Sequence, residues 1–371
     1  MPLRILHTAD VHLGAKFLGL GRKGQLQRSR LLQAFDETVN LAIREKVELL
    51  LIAGDLFDSR DISKTLLAQV AYRLQDLSAV GIPVCISPGT HDPYGPDSIY
   101  MSPELTGIKG LTVFTSEEMT PVRFEQLDCV VYGNANMRPF RNHRPLESLE
   151  VADDIRWRIG MIHASFEMPD LVDDTYVVTP EEVASSGLDY LALGHIHSFS
   201  NRSSGDVTAF YPGSPEMVRM QKSKSGNVLI IDLDEEEIRV TPYRTGGLAY
   251  EEMTIKAEDA AGGGLVALLE ARGDPGIVMQ LNIEGLRPTD YPDVSEVIEA
   301  LSDLYFLVKV NDRSWPAPAT IDPGAYPQGS PAAQFLSVLH SRLGEASPTE
   351  REEIREAMLV GLSLLLGEGE S

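Results

Sequence analysis

The chain has 371 residues, 43% of them hydrophobic, and a formal net charge of -23 from 55 acidic and 32 basic side chains. This length and apolar content suffice for two or more domains with buried cores. The acidic balance argues against a generic nucleic-acid binder, because affinity for a phosphate backbone comes mainly from Lys and Arg. No apolar run approaches the roughly 18 residues of a membrane span, and the first residues lack a signal-peptide pattern. We therefore expect a cytoplasmic protein that does not contact a membrane.

The first part of the chain alternates short apolar runs with amphipathic stretches, as is typical of a layered α/β fold. LRILHT predicts a strand, and the next helix is predicted from the spacing of Leu31, Phe35, Val39 and Ile43. ELLLIAG, IPVCIS and DYLALG predict strands without a wet face, and further strands are predicted for DCVVYG, WRIGMIH, GNVLIIDL and EIRVTPY. This pattern indicates a sheet-rich first domain over residues 1-245.

One segment near the amino terminus is basic although the whole chain is acidic. Between Leu13 and Arg30 there is no acid, and the segment carries Lys16, Arg22, Lys23, Arg28 and Arg30. Lys16, Arg22, Lys23 and Arg28 are therefore the candidate residues for contact with DNA. A solvated loop of mixed polarity is an equally good interpretation of the same residues.

The two cysteines of the chain, Cys85 and Cys129, both lie inside apolar runs that predict strands. An apolar environment suits a buried thiol, and two isolated cysteines lack the spacing of a zinc site. We therefore expect both thiols to be buried and reduced, without a disulfide or a bound metal.

Beyond residue 245 the sequence pattern changes three times. Residues 246-311 predict strand, helix, strand, helix and strand, which is enough for a small α/β domain. Residues 312-330 contain several prolines and glycines, which favour a linker. Residues 331-371 predict two amphipathic helices, and the second is apolar over much of its circumference near its end. Its apolar surface should pack either on its own chain or on a partner protein.

Carboxylate and imidazole side chains follow the predicted strands at the points where the strands end. They are Asp10 and His12 after LRILHT, Asp55 after ELLLIAG, His91 after IPVCIS, His163 at the end of WRIGMIH, and His195 and His197 after DYLALG. The carboxyl ends of strands form the ligand-binding edge of an open α/β sheet, so distant residues are expected to meet there. Ligands of these types favour manganese, iron or zinc, and Asp55 is suited to bridge two ions.

The remaining histidines do not fit this pattern. His7 lies within the first predicted strand and should alternate away from the site, while His143 lies in a loop and His340 on a predicted tail helix. We interpret all three as structural or exposed residues.

The order of these motifs resembles that of the calcineurin-like metallophosphoesterases. HTADVHLG, GDLFD, GTHD, GHIH and YPGSP are similar to motifs of the SbcD family of DNA-repair exonucleases. The resemblance covers residues 1-245 by motif and the rest of the chain by architecture. It implies an α/β fold with a four-layer β-sandwich flanked by helices, a small α/β capping domain and carboxyl-terminal helices.

The resemblance also implies a site for two divalent metal ions, with manganese expected first and iron, zinc or magnesium as alternatives. One ion would be held by Asp10, His12, Asp55 and His197. The second would be held by Asp55, His163 and His195, with Thr90 as a further ligand. His91 would lie beside the scissile phosphate, where it would orient the phosphate or protonate the leaving oxygen, and Asp92 would help to position His91.

Thr90 departs from the family pattern, which has asparagine at this position. The threonine hydroxyl is shorter than an asparagine amide and, while neutral, is a poorer metal ligand. We expect a two-metal site in which the second ion binds more weakly.

These observations predict a metal-dependent nuclease that acts on DNA ends or single strands. The resemblance implies that the carboxyl-terminal helices dock on an SMC-like ATPase of the SbcC type. The sequence leaves open whether the chain forms a homodimer through a helix such as the one over residues 31-43. Two alternatives remain: a phosphodiesterase or phosphatase for a small nucleotide-type substrate, and a structural subunit whose catalysis is weakened at Thr90.

Overall fold

The computed structural model describes residues 2–137, 143–166, 176–287, 291–316, 318 and 321–367. These residues form two compact units that divide between Leu248 and Ala249. The first unit therefore extends three residues beyond the boundary expected from the sequence. The extension is held by Glu216, whose carboxylate accepts hydrogen bonds from the backbone N–H groups of Gly247 and Leu248.

The described part of the first unit contains two six-stranded sheets and four α-helices. Its strands are β1 (Leu3–Thr8), β2 (Leu49–Ala53), β3 (Val84–Ser87), β4 (Leu111–Val113), β5 (Thr120–Phe124), β6 (Cys129–Gly133), β7 (Trp157–His163), β8 (Ser165–Phe166), β9 (Val177–Val178), β10 (Tyr190–Gly194), β11 (Ser200–Asn201), β12 (Thr208–Tyr211), β13 (Asn227–Leu233) and β14 (Ile238–Arg244). Its helices are α1 (Lys23–Arg44), α2 (Lys64–Ala79), α3 (Pro103–Thr106) and α4 (Pro180–Ser185).

The two sheets have related topologies with a parallel centre. The first sheet has the order β14-β13-β1-β2-β3-β4, and strands β1 to β4 run parallel. The second has the order β11-β12-β10-β7-β6-β5, and β12, β10, β7 and β6 run parallel. Parallel strands place their carboxyl ends at one edge of each sheet, which is where the sequence predicts the polar side chains.

Alternation along each strand builds the layers of the first unit. On β1, Leu6 packs into a cluster with Phe35 of α1 and Leu74 of α2, while Ile5 packs against the second sheet with Ile159 of β7. The outer face of the second sheet is covered by residues that include Val183 of α4. Helices, sheet, sheet and helix therefore form four layers, and the predicted fold class is confirmed.

The predicted helix with Leu31, Phe35 and Val39 on one face is α1, and all three side chains are buried. The next helix begins at a Ser63 cap, whose side chain accepts a hydrogen bond from the Leu66 N–H. Cys85 and Cys129 are buried and form no disulfide, as the sequence predicted.

The described part of the second unit contains a smaller parallel sheet and four α-helices. Its strands are β15 (Ala249–Lys256), β16 (Ile277–Glu284), β17 (Leu286–Arg287), β18 (Leu307–Asp312) and β19 (Trp315–Pro316), and its helices are α5 (Gly264–Glu270), α6 (Val294–Leu301), α7 (Pro331–Glu345) and α8 (Pro348–Gly367). The sheet has the order β15-β16-β18. Its apolar face, with Leu281 and Ile283, packs on Leu265 and Leu269 of α5 and on Val297 and Leu301 of α6.

The segment predicted as a linker, residues 312-330, contains ordered elements. Strand β19 pairs with β17 in parallel, and a short 3-10 helix spans Pro323–Ala325. Beyond it, α7 and α8 pack through Leu336, Met358 and Leu362. Proline and glycine content indicated a break in regular structure, but pairing with β17 depends on distant residues that composition does not reveal. Among the described residues, no helix combines the length and apolar character that a membrane span requires.

Candidate metal centre

The polar residues predicted at strand ends converge in the first unit. Asp10 and His12 follow β1, Asp55 follows β2, and Thr90, His91 and Asp92 follow β3, while His163 ends β7 and His195 and His197 follow β10. Four of them have a left-handed backbone: Asp10, His12, Asp55 and His195. Such conformations cost on the order of 1–3 kcal/mol each in non-glycine residues and concentrate at functional sites.

We define the first cluster as Asp10, His12 and His197, whose ligand atoms lie within 4.8 Å of one another. The two imidazole Nε2 atoms of His12 and His197 are 3.1 Å apart. His197 Nε2 is 3.9 Å from Asp10 Oδ1, and His12 Nε2 is 3.7 Å from Asp55 Oδ2. His197 is the most open member, since 21% of its side chain is exposed while Asp10 is buried. Four candidate ligands therefore face one small space.

We define the second cluster as Asp10, Asp55 and His163, which are all buried. His163 Nε2 lies 3.3 Å from Asp55 Oδ2, and His163 Nδ1 lies 3.0 Å from the carbonyl oxygen of Ala53. A carbonyl oxygen can only accept a hydrogen bond, so Nδ1 carries the proton and Nε2 is the nitrogen available for a ligand. Within the described structure, Nε2 of His163 makes no hydrogen bond.

Asp55 is the centre of the contacts between the loops. Its Oδ1 accepts a hydrogen bond from the His91 backbone N–H at 2.8 Å, and its Oδ2 accepts one from the Thr90 hydroxyl at 3.4 Å. A Cβ atom on Gly89 would lie 2.2 Å from Asp55 Oδ1, so the glycine of GTHD is required for the loop to approach this closely. Thr90 therefore lies at the centre, with its short hydroxyl directed at a carboxylate.

His195 is placed differently from the other histidines. Its backbone N–H donates to both carboxylate oxygens of Asp10 at 3.0 and 3.1 Å, and its ring lies edge-on to that of His163, with centroids 5.2 Å apart. Among the described residues, neither close group of ligand atoms around Asp10 includes the His195 ring. The His195 backbone therefore holds Asp10, and its ring lies beside the His163 ring of the second cluster.

Asp92 fixes the GTHD loop from inside the protein. This buried carboxylate accepts hydrogen bonds from the N–H groups of Gly89 and Phe57 at 2.7 and 3.0 Å and from the Tyr100 hydroxyl at 2.5 Å. Burial and the nearby charge of Asp55 raise the pKa of Asp92, while these hydrogen bonds oppose the rise. Because Phe57 belongs to GDLFD, Asp92 ties the loop after β3 to the loop after β2.

Asp58 is a contributor that the sequence reasoning missed. Its Oδ1 lies 3.1 Å from His12 Nδ1, and its carbonyl oxygen lies 3.0 Å from His91 Nδ1. Together these three residues form a further close group of possible ligand atoms. The only signal in the sequence was that Asp58 ends the GDLFD motif. A carboxylate next to the non-ligating nitrogen of a histidine fixes its tautomer and strengthens it as a ligand.

The charges of the two clusters perturb one another strongly. Burial would lower the pKa of His163, but the charges of Asp55 and Asp10 raise it to about 10. Burial lowers the pKa of His197 to about 4, against the charge of Asp10. Burial would raise the pKa of Asp55, but the nearby imidazoles hold it far below its usual range. The buried Asp55 carboxylate is thus charged at neutral pH and needs positive partners.

The residues present fit divalent metal ions. Two buried carboxylates face three imidazoles, and the Nε2 atom of His163 is buried beside Asp55 without a hydrogen bond. In the first cluster, the Nε2 atoms of His12 and His197 are 3.1 Å apart, and this arrangement suits the binding of a shared cation better than a direct contact between the two rings. Carboxylate oxygen and imidazole nitrogen are ligands of manganese, iron and zinc.

The remaining sequence-predicted residues lie outside both clusters. Lys16, Arg22 and Arg28 are exposed, Lys23 begins α1, and Arg28 donates a hydrogen bond to the Lys16 carbonyl at 2.8 Å. His7 is buried with its Nδ1 2.9 Å from the Tyr190 hydroxyl. His143 and His340 each have Nε2 within hydrogen-bonding distance of a backbone carbonyl, of Glu117 and Ile321 respectively.

Comparison with known proteins identifies the family. A family model described as calcineurin-like phosphoesterase matches residues 3–199, which is more than half of the chain. The chain therefore belongs to the calcineurin-like phosphoesterases, a family that uses divalent metal ions.

Several curated proteins are similar to this chain. One is the uncharacterized metallophosphoesterase YhaO of Bacillus subtilis, which is 24% identical over 70% of this chain and 64% of its own length. The DNA double-strand break repair protein Mre11 of Aeropyrum pernix is 29% identical over 63% of this chain and 58% of its own length. The D subunit of the SbcCD nuclease of Bacillus subtilis is 24% identical over 57% of this chain and 61% of its own length. The chain thus spans about three-fifths of the length of these relatives.

Proposed function

We propose that this phosphoesterase is a two-metal phosphodiester hydrolase that acts on DNA, as the nuclease subunit of a DNA-repair complex with an SMC-like ATPase. The observation that carries the proposal is the convergence of two buried carboxylates and three imidazoles beside a half-exposed histidine, His91. The names of two relatives, a double-strand break repair protein and a component of a nuclease, support DNA as the substrate.

In this proposal one ion would be held by Asp10, His12, Asp55 and His197. The second would be held by Asp55, His163 and His195, with Thr90 as a weak further ligand. Bound divalent ions supply charge neutralisation for the phosphate and increase the acidity of water, and manganese is the first ion to test. Asp55 would serve both ions, in keeping with its contacts to His12 and His163.

His91 is the proposed acid of the reaction. Its side chain is 45% exposed, and it borders a cavity of about 490 Å³ together with Thr90 and Asp58. The Asp58 carbonyl accepts from His91 Nδ1, so Nε2 is left to carry a proton toward the leaving oxygen. Histidine is the side chain that most often acts as a general acid or base, which suits this role. Asp92 would act indirectly, by holding the loop that presents His91.

The second unit would contribute the substrate cap and the partner-binding helices. Val360, Leu364, Leu365 and Leu366 of α8 are each more than one-third exposed, although Met358 and Leu362 of the same helix are buried against α7. An exposed apolar strip of this kind suits docking on a partner, here proposed to be an ATPase of the SbcC type. The proposed complex would work in the cytoplasm.

A digestion assay tests the proposal. The wild-type chain, His91→Ala and the control His340→Ala are incubated with Mn²⁺ and labelled double- or single-stranded DNA. We expect DNA cleavage by the wild type and the control, and a loss of about 100-fold or more in His91→Ala, because a positioned acid contributes roughly that much. Cleavage of a small diester without any cleavage of DNA would contradict the proposal and favour a nucleotide-type substrate.

A further inference from the structure

Several segments of the first unit carry bases and no acid although the whole chain has a net charge of -23, and two of these segments contact each other in the fold. The first is the segment from Leu13 to Arg30 with its five bases. The second, residues 217–231, does not stand out as a basic segment in the sequence, and it carries Arg219, Lys222 and Lys224. The segments are far apart in the chain, so their relation depends on the fold.

The structure joins the two segments through a buried hydrogen bond. Gln27 of α1 is buried, and its Nε2 donates to the carbonyl oxygen of Met217 at 2.6 Å. The amino-terminal half of α1 therefore lies against the start of the second segment. Since Gln27 lies between Lys23 and Arg28 on the helix, this contact places the start of the second segment beside the part of α1 that carries bases of the first, and we call the two segments together the basic region.

This region borders the first cluster from two sides. The first segment begins directly after His12. The second is connected to the chain around His197, because Ser214 N–H donates to the His197 carbonyl at 3.4 Å and Lys224 N–H donates to the Ser198 hydroxyl at 2.8 Å. His12 and His197 are the two imidazoles whose Nε2 atoms are 3.1 Å apart.

The bases of this region are directed to solvent. Arg219, Lys222 and Lys224 are exposed, as are Lys16, Arg22 and Arg28. Glu216, the acid next to the second segment, is buried and accepts hydrogen bonds from the N–H groups of Met217, Gly247 and Leu248. In the part of the chain that the structure describes, no carboxylate forms an ion pair with Lys16, Arg22, Arg219 or Lys224.

We propose that the two segments form one phosphate-binding surface, which guides a DNA backbone to the first cluster, with Arg219, Lys222 and Lys224 as its second half. The proposal rests on the proposed function, because DNA is its occupant. Charge complementarity supports this occupant, since an acidic protein repels DNA except where bases are concentrated. Contacts to phosphates do not depend on the identity of the bases, so the surface should bind DNA of any sequence.

The test compares variants with matched changes in charge. The first is the triple variant Arg219→Gln, Lys222→Gln and Lys224→Gln. Its control, Arg44→Gln, Lys109→Gln and Arg239→Gln, removes three exposed bases that lie outside both segments. A charge-preserving variant, Arg219→Lys, Lys222→Arg and Lys224→Arg, separates charge from shape. Binding of labelled double- and single-stranded DNA to the full chain is measured by fluorescence anisotropy in EDTA at several salt concentrations.

We expect the first triple variant to bind DNA about tenfold more weakly or worse at physiological salt. The slope of log affinity against log salt should fall by about two to three, since each lost phosphate contact removes about 0.7–0.9 of slope. The control and the charge-preserving variant should bind within about twofold of wild type.

Wild-type affinity and slope in the first triple variant would overturn the proposed surface, even if the wild type cleaves DNA. Equal losses in the control would also overturn it, because net charge alone would then explain the effect, and so would equal losses in the charge-preserving variant. A wild type that neither binds nor cleaves DNA, but hydrolyses a small diester, would overturn the proposed function together with the surface.

Discussion

The first and second clusters share Asp10, but their imidazoles are supported differently. His12 in the first cluster is oriented by a side chain, the carboxylate of Asp58 at 3.1 Å. His163 in the second is oriented by the backbone, through the Ala53 carbonyl at 3.0 Å. The first cluster is also partly open at His197, whereas the second is fully buried. Side-chain substitutions beyond the ligands should therefore affect the first ion more than the second.

The largest effect on the affinity for metal ions is expected from Asp58→Ala. This variant removes the carboxylate beside His12 and leaves the backbone carbonyl that contacts His91. Loss of a carboxylate partner of a ligating histidine lowers metal affinity by roughly 10–100-fold. A calorimetric titration with Mn²⁺ should show one site with weakened metal affinity and one site with unchanged affinity. The control is Asp61→Ala, an exposed acid in the same loop. Equal affinities in both variants would contradict the role given to Asp58.

The second prediction concerns the pH dependence of metal binding at the buried second cluster. The pKa of His163 is raised to about 10, so its imidazole is protonated at pH 7 and must lose this proton to bind a metal. Apparent affinity should therefore rise with pH, by up to about tenfold per pH unit below the raised pKa. Mn²⁺ titrations at pH 7 in buffers with different ionisation enthalpies should reveal proton release. Heats that are the same in every buffer would contradict this expectation.

A smaller effect is expected from Thr90→Asn, which introduces the amide that the family resemblance implies at this position. Its carbonyl oxygen extends further than the threonine hydroxyl, which contacts Asp55 at 3.4 Å. We expect Mn²⁺ to bind the second cluster a few-fold more tightly, which corresponds to a change in binding free energy of about 1 kcal/mol or less. The control is Thr65→Asn on the exposed face of α2. Unchanged occupancy and activity in Thr90→Asn would mean that the threonine has no cost.

The difference between the clusters also explains how much the sequence could predict. Asp10, Asp55 and His163 were predictable because they lie at or directly after the ends of strands whose apolar runs are unambiguous, and parallel strands bring those ends together. Asp58 was not, because a carboxylate three residues into a loop can face several ways, and only the fold places it beside His12.

The limits of prediction from sequence are similar elsewhere in the chain. The four layers of the first unit follow from alternation along its strands, and this alternation is local. The contact between Gln27 and Met217 joins residues 190 positions apart, and the pairing of β17 with β19 gives order to a proline-rich segment. Neither contact leaves a periodic pattern in the sequence, so both required the structure.

The most direct test of the proposed two-metal centre is anomalous diffraction from Mn²⁺-soaked crystals of the wild type and Asp55→Asn. The wild type should give two anomalous peaks, one beside His12 and His197 and one beside His163, both in contact with Asp55. Both peaks should weaken in Asp55→Asn, because the variant lacks the charge that both ions share. A single peak, or two peaks that do not touch Asp55, would contradict a shared two-metal site.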